Sequence, residues 1–188
     1  MVITTSQTKL ILLQMSWSQF KSIEPILDQP GVRLSFLQDV LEILPMPGRE
    51  HERLKSRIGA LIELFCLLKN IEIEPVGAMT LESEVGLVRR QADEAYEIGN
   101  TERASLAVEV VITSGGIDKL EAYRRLEVPE VWFWEDGELL MFQLTDVGYE
   151  PITQSLNLPQ LNIELFKQCV QIPRHNQALR EFQQRLKA

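Results

Sequence analysis

Seven consecutive residues, Leu106-Ala107-Val108-Glu109-Val110-Val111-Ile112, are apolar except for one glutamate. A run this long and this rich in β-branched side chains predicts a strand buried on both faces. Glu109 is then an anomaly that chemistry has to resolve. A carboxylate inside such a strand is costly unless it is paired, protonated or bound to a metal. An ion pair with a nearby arginine is the plain resolution, and a metal is the sharper one.

The flanking sequence places this strand in a mixed fold. Leu54, Ile58, Leu61, Ile62, Phe65 and Leu68 recur at steps of three and four and predict a helix over residues 50–69. Arg49, Arg53 and Arg57 form a separate row on it, either a solvated face or one turned toward phosphate. Ahead of the helix, apolar residues at 32–36 and 40–44 predict a hairpin turning at Gln38-Asp39 and ended by Pro45, Pro47 and Gly48. Strand-like stretches follow over 71–75, 79–83 and 88–98.

Beyond the buried run, Thr113-Ser114-Gly115-Gly116 signals a turn, and a helix is expected over 117–126. Val131-Trp132-Phe133-Trp134 and residues 139–144 read as a hairpin around Asp136-Gly137. Ser16 is placed to cap a short helix, and two terminal helices are expected over 161–171 and 176–187. The order predicts an α/β or α+β fold: a mixed central β-sheet flanked by helices, with an N-terminal β-hairpin and C-terminal helices. A single domain is expected, with a loose arm over 1–15, a core over 16–165 and a helical tail over 166–188.

Composition narrows the function classes. The 188 residues are 45% hydrophobic and 24% charged, in the range of folded globular chains. The net charge is −8, which argues against a protein coated in Lys and Arg for general nucleic-acid binding. One local patch that meets nucleic acid is not excluded. Cys66 and Cys169 form no disulfide framework and no CxxC metal site. The apolar run Leu10-Ile11-Leu12-Leu13 is too short to span a bilayer. No membrane contact and a cytoplasmic location are expected.

Two further residues join Glu109. Asp93 lies on a neighbouring predicted strand, so the two carboxylates could meet at one end of a sheet. They would repel unless a divalent cation lay between them, and Mg²⁺ prefers such oxygen ligands. Lys119 opens the helix after the buried strand, where an ammonium opposes the helix dipole and calls for an acidic cluster or a phosphate nearby. Two carboxylates on Mg²⁺ and one ammonium form a device for phosphoryl chemistry, because the metal lowers the pKa of bound water. Rival devices are missing. There are two histidines, His51 and His175, and no Gly-rich phosphate loop or GxSxG motif.

With these residues in place the sequence resembles a known family. The carriers are Gly31-Val32-Arg33-Leu34, Leu41-Glu42-Ile43-Leu44-Pro45-Met46-Pro47-Gly48, His51-Glu52, Asp93-Glu94, Val108-Glu109-Val110, Thr113-Ser114-Gly115-Gly116-Ile117-Asp118-Lys119-Leu120, Tyr123-Arg124-Arg125-Leu126 and Val128-Pro129-Glu130-Val131-Trp132. Together they resemble the bacterial "putative restriction endonuclease" family of the PD-(D/E)XK phosphodiesterase superfamily, over residues 16–165. The resemblance implies Mg²⁺- or Mn²⁺-dependent hydrolysis of DNA. It implies that Asp93 and Glu109 bind the metal with the carbonyl of Val110, that Lys119 takes the catalytic lysine's role, and that Glu52 is the acidic residue of the first core helix.

The departures are specific. Ala92 replaces the proline of the first half-motif, Gln91 stands where an acid is common, and Asp39 stands where the hairpin usually has glycine. Val111 occupies the usual lysine position, which is why Lys119 inherits that role. Other candidates read first as structure: His51 as a hydrogen-bonded core-edge histidine, Tyr123 as packing, Trp132 and Trp134 as core or a dimer contact, Glu42 as a hairpin residue. A non-catalytic, dimeric binding module that keeps the nuclease fold is the rival reading, and the acidic balance favours it. A phosphodiesterase acting on small nucleotides is a third.

Overall fold

A computed structural model describes residues 10–99, 101–112 and 118–187. The expected turn over residues 113–116 and the start of the arm, residues 1–9, lie outside these. The chain forms two compact units, each built from three stretches: Met1–Pro47, Thr80–Gln91 and Ser114–Leu126 in the first, Gly48–Met79, Ala92–Thr113 and Glu127–Ala188 in the second. Because the stretches interleave, no linker marks a boundary in the sequence.

The first unit holds the antiparallel sheet β1-β3-β2-β6-β5. Its strands are β1 (Ile11–Gln14), β2 (Val32–Leu37), β3 (Val40–Pro45), β5 (Thr80–Ser83) and β6 (Val88–Gln91). The hairpin β2–β3 turns at Gln38 and Asp39, with φ of 44° and 66°. Two left-handed residues are what the primed two-residue turn needs, and here the turn forms without glycine. Helix α1 (Trp17–Leu27) starts in a full capping box: the Ser16 side chain accepts from the Gln19 amide, and the Gln19 side chain accepts from the Ser16 amide. Trp17 and Phe20 pack on Phe36, with Leu34 and Leu41 completing the small core. Helix α3 (Lys119–Arg125) lies on β6, with Ala122 against Val88 and Leu37.

Residues 11–14, expected within a loose arm, are instead the edge strand β1, paired with β3 from Ile11–Ile43 to Gln14–Val40. Three apolar side chains and a glutamine give no period to read, and only the partner strand determines their conformation.

The second unit holds the mixed sheet β11-β10-β9-β8-β7-β4. Its strands are β4 (Ile73–Pro75), β7 (Glu94–Ile98), β8 (Leu106–Val111), β9 (Glu130–Glu135), β10 (Glu138–Thr145) and β11 (Gly148–Ile152). Only the β8–β9 pair is parallel. The helices are α2 (Arg49–Lys69), α4 (Ile163–Val170) and α5 (His175–Lys187). The apolar stripe of α2 (Ile58, Leu61, Ile62 and Phe65) joins Val108, Val110, Trp132, Trp134, Phe166 and Phe182 in one buried cluster. The two tryptophans are therefore core. The stretch 88–98, expected as one strand, breaks at Ala92-Asp93, with β6 and β7 pairing in different sheets.

Two glutamates are buried in this sheet. Glu130, fully enclosed, accepts from the Trp132 indole at 2.6 Å, from the amides of Leu156 and Asn157 at 3.0 Å each, and from the Asn157 side chain at 2.9 Å. These donors satisfy its charge, so its burial is structural. Glu109, on the next strand and 1% exposed, is the other.

Candidate active site

Glu109 sits in the middle of β8, in register with Phe133 of β9. On its other side β8 pairs with β7, and the last matched residues are Glu94 and Val108. Asp93 lies in the break between β6 and β7, one residue before β7 begins, and its carboxyl meets the amide of Val110, the residue after Glu109. Asp93 is 4% exposed.

The Asp93 carboxyl is held on one oxygen. Its Oδ2 accepts from the Val110 amide at 2.8 Å and lies 3.0 Å from Nε2 of His51. The other ring nitrogen of His51, Nδ1, lies 3.2 Å from Oε1 of Glu52. Glu52 is half-exposed and also meets Lys55 at 3.5 Å. Both His51 and Glu52 stand in the first turn of α2, whose positive dipole end favours acidic neighbours. Burial pulls the imidazole pKa down, but the bonds to and charges of Asp93 and Glu52 outweigh it, so the net direction is up.

A second acid follows immediately. Glu94 is half-buried on β7, and burial, reinforced by Glu63, Asp93 and Glu52 against the pull of Lys55, raises its pKa. The Glu94 side chain and the Tyr96 hydroxyl both approach Gly59 of α2. The Tyr96 hydroxyl has no hydrogen-bond partner among the described residues.

The structure brings together four of the residues that the sequence singled out, all in the second unit: Asp93, Glu109, Val110 and Glu52. Lys119 belongs to the first unit. It is the opening residue of α3, half-buried, behind Asp118, whose side chain caps the helix on the Glu121 amide at 3.1 Å. In the same unit Glu42 is buried 3.8 Å from the Arg90 guanidinium, and that guanidinium lies over the Tyr123 ring, so Tyr123 packs as expected. The arginine row does not face phosphate as a set. Arg57 turns inward and donates to the carbonyls of Val170 and Pro173. The residue that sequence reasoning undervalued is His51. Its expected state, hydrogen-bonded at the core edge, is correct, but its partner is the candidate acid itself.

Among the described residues no group of three or more His, Cys, Asp or Glu side chains is arranged to hold a metal ion. The oxygen set available is the carboxylates of Asp93 and Glu109 and the main-chain carbonyl of Val110. Hard, all-oxygen and doubly anionic, that set fits Mg²⁺ or Mn²⁺ better than a soft metal. No helix among the described residues is long and apolar enough to cross a membrane.

A protein-family model described as "Putative restriction endonuclease" matches residues 17–173 of the chain. The fold is similar to the crystal structure of a putative nuclease from Anabaena variabilis, with a TM-score of 0.51 over 74% of this chain and 85% of that one, at 11% identity. No curated protein matches the chain.

Proposed function

The chain belongs to the Uma2 family of putative restriction endonucleases, and from that premise we propose that it is a metal-dependent endonuclease that hydrolyses phosphodiester bonds of DNA. Its fold is nuclease-like, a mixed α+β fold as the sequence predicts. The observation that carries the proposal is the buried Asp93, whose carboxyl is tied to the amide of Val110, next in sequence to the buried Glu109. Two buried carboxylates on adjoining segments supply the hard oxygen ligands that a divalent cation prefers.

In this reading Asp93, Glu109 and the Val110 carbonyl hold Mg²⁺ or Mn²⁺, which when bound makes a water more acidic and offsets charge on the phosphoryl oxygens. Glu52, at the N-terminus of α2, supports that acidic set. The resemblance gives Lys119, which lies in the first unit, the part of the catalytic lysine. Water adds to phosphorus and a P–O ester bond breaks. One fragment keeps the phosphate, and the other leaves with a hydroxyl after taking a proton. With a net charge of −8 the chain meets DNA through a local patch only.

The test is cleavage of supercoiled plasmid with Mg²⁺ or Mn²⁺, against chelator and against Asp93→Ala and Glu109→Gln. Cutting that survives chelation, or full activity in either variant, refutes the mechanism. Activity on a dinucleotide but not on plasmid would move the substrate class to small nucleotides.

One observation favours a dimeric binding module on the same fold. The edge strand β1 exposes Ile11, Leu12 and Leu13 by 45%, 48% and 39%. No charge occurs between Leu10 and Phe20, so a second copy of this acidic chain meets no repulsion there. A sedimentation measurement in which Leu12→Lys turns a dimer into a monomer while plasmid stays uncut would support that reading over the enzyme.

A further inference from the structure

We propose that His51 is a positioning residue that orients Asp93 for the cation through an Nε2–H donated to Oδ2. The inference rests on the reading that Asp93 takes the metal, and it goes beyond the family resemblance, which assigns His51 no part. The ring is 7% exposed, so water does not compete for its nitrogens. It reaches Asp93, 42 residues away in sequence, at 3.0 Å, while Nδ1 lies 3.2 Å from Glu52. One planar ring therefore links the two acids that α2 and the start of β7 contribute.

A second donor makes the contact specific. The Val110 amide meets the same oxygen at 2.8 Å. Two donors arriving at one oxygen from different elements fix the plane of the carboxyl group, which a single bond to a rotatable side chain does not. One of these donors is backbone and cannot be lost by substitution, whereas the His51 donor can be removed. Carboxylates that ligate metals are commonly held by such outer hydrogen bonds, and losing one costs about ten- to a hundredfold in metal affinity.

The test compares His51→Leu, which fills the space without a donor, with His51→Gln, which keeps an N–H. Mn²⁺ binding is followed by calorimetry on the full chain, with folding checked by circular dichroism. His51→Leu is expected to weaken Mn²⁺ binding about ten- to a hundredfold, and His51→Gln to restore most of it. Equal affinity in all three proteins overturns the positioning role. Wild-type protein that binds no Mn²⁺ overturns the metal reading instead, so the two failures are distinct.

Should His51→Leu not fold, the wild type still decides. His175 is exposed and is the other of the two histidines, so it serves as an internal control in ring nitrogen NMR spectra. Added Mg²⁺ is expected to move the His51 ring signals and leave those of His175 in place. Bound Mg²⁺ with an unmoved His51 ring sinks the proposal.

Discussion

Asp93 and Val110 are joined across β7 and β8 by a 2.8 Å hydrogen bond from the Val110 amide to the Asp93 carboxyl. The bond fixes one candidate acid beside the strand that carries the other, since Glu109 directly precedes Val110. It also makes Asp93 a structural residue as well as a chemical one, and the two roles separate under substitution.

Asp93→Ala is expected to abolish metal-dependent cleavage and to lower stability by about 1–3 kcal/mol, because the buried Val110 amide loses its acceptor. Asp93→Asn keeps one carbonyl oxygen for that amide. It should recover part of the stability while cleavage stays absent. Urea unfolding of the three proteins, run beside the plasmid assay, gives both quantities. An Ala variant as stable as wild type would mean that the Val110 bond contributes nothing.

Gly59 and Tyr96 should be thermodynamically coupled. A Cβ built on Gly59 would lie 3.0 Å from the Tyr96 hydroxyl oxygen, which is buried without a partner. Gly59→Ala gains about 1 kcal/mol of helix propensity in the interior of α2, but the contact opposes it. In a Tyr96→Phe background the obstacle is gone, and the same change should stabilise the protein. A double-mutant cycle by denaturant melts measures the difference, expected near 1 kcal/mol. Identical effects of Gly59→Ala in both backgrounds would contradict the packing described for α2 and β7.

The thiols should be silent in the folded protein. Burial, with Glu63 adding to it, pushes the Cys66 thiol up to about 11, and burial raises that of Cys169 as well. Neither forms thiolate near neutral pH, and both are enclosed in the core of the second unit. A chromogenic disulfide reagent at pH 8 should find no reactive thiol in native protein and both after unfolding in guanidinium. Rapid labelling of the native chain would show that this core opens.

Acid should weaken α3 through Glu121. Hydrogen bonds from Arg124, then from Arg125, outweigh partial burial and hold its carboxyl at about 2, below its ordinary 4.5. The carboxyl is thus more acidic folded than unfolded. Its contribution is complete above pH 4.5 and is lost as pH falls from there toward 2. The melting-temperature gap between wild type and Glu121→Gln should therefore close over that window. A gap that persists to pH 2 would show that the arginine contacts stabilise nothing through charge.

Much of the fold was legible because its signals are local. The β8 run announces burial by composition, α2 by its period of three and four, α1 by Ser16 three residues before Gln19, and the β9–β10 hairpin by Asp136-Gly137. The illegible parts lack a local signature. β1 is three apolar residues and a glutamine that become a strand only against β3. The 88–98 stretch has no glycine or proline at Ala92-Asp93, so nothing in it shows that its halves pair in different sheets. Arg57 looks like a member of a surface row until the carbonyls of Val170 and Pro173 turn it inward.

By itself, the sequence settled that a glutamate lies in a buried strand and that a mixed sheet flanked by helices surrounds it, while the resemblance supplied the nuclease-like character. Periodicity and residue type carry the first part, because burial is decided a few residues at a time. Only the tertiary structure decided that Asp93 answers to His51 and to the Val110 amide, and that Glu130, equally buried, is fully occupied with structural donors. Those outcomes depend on the placement of residues far apart in the chain, because a hydrogen bond is set by distance and angle in space and not by separation in sequence.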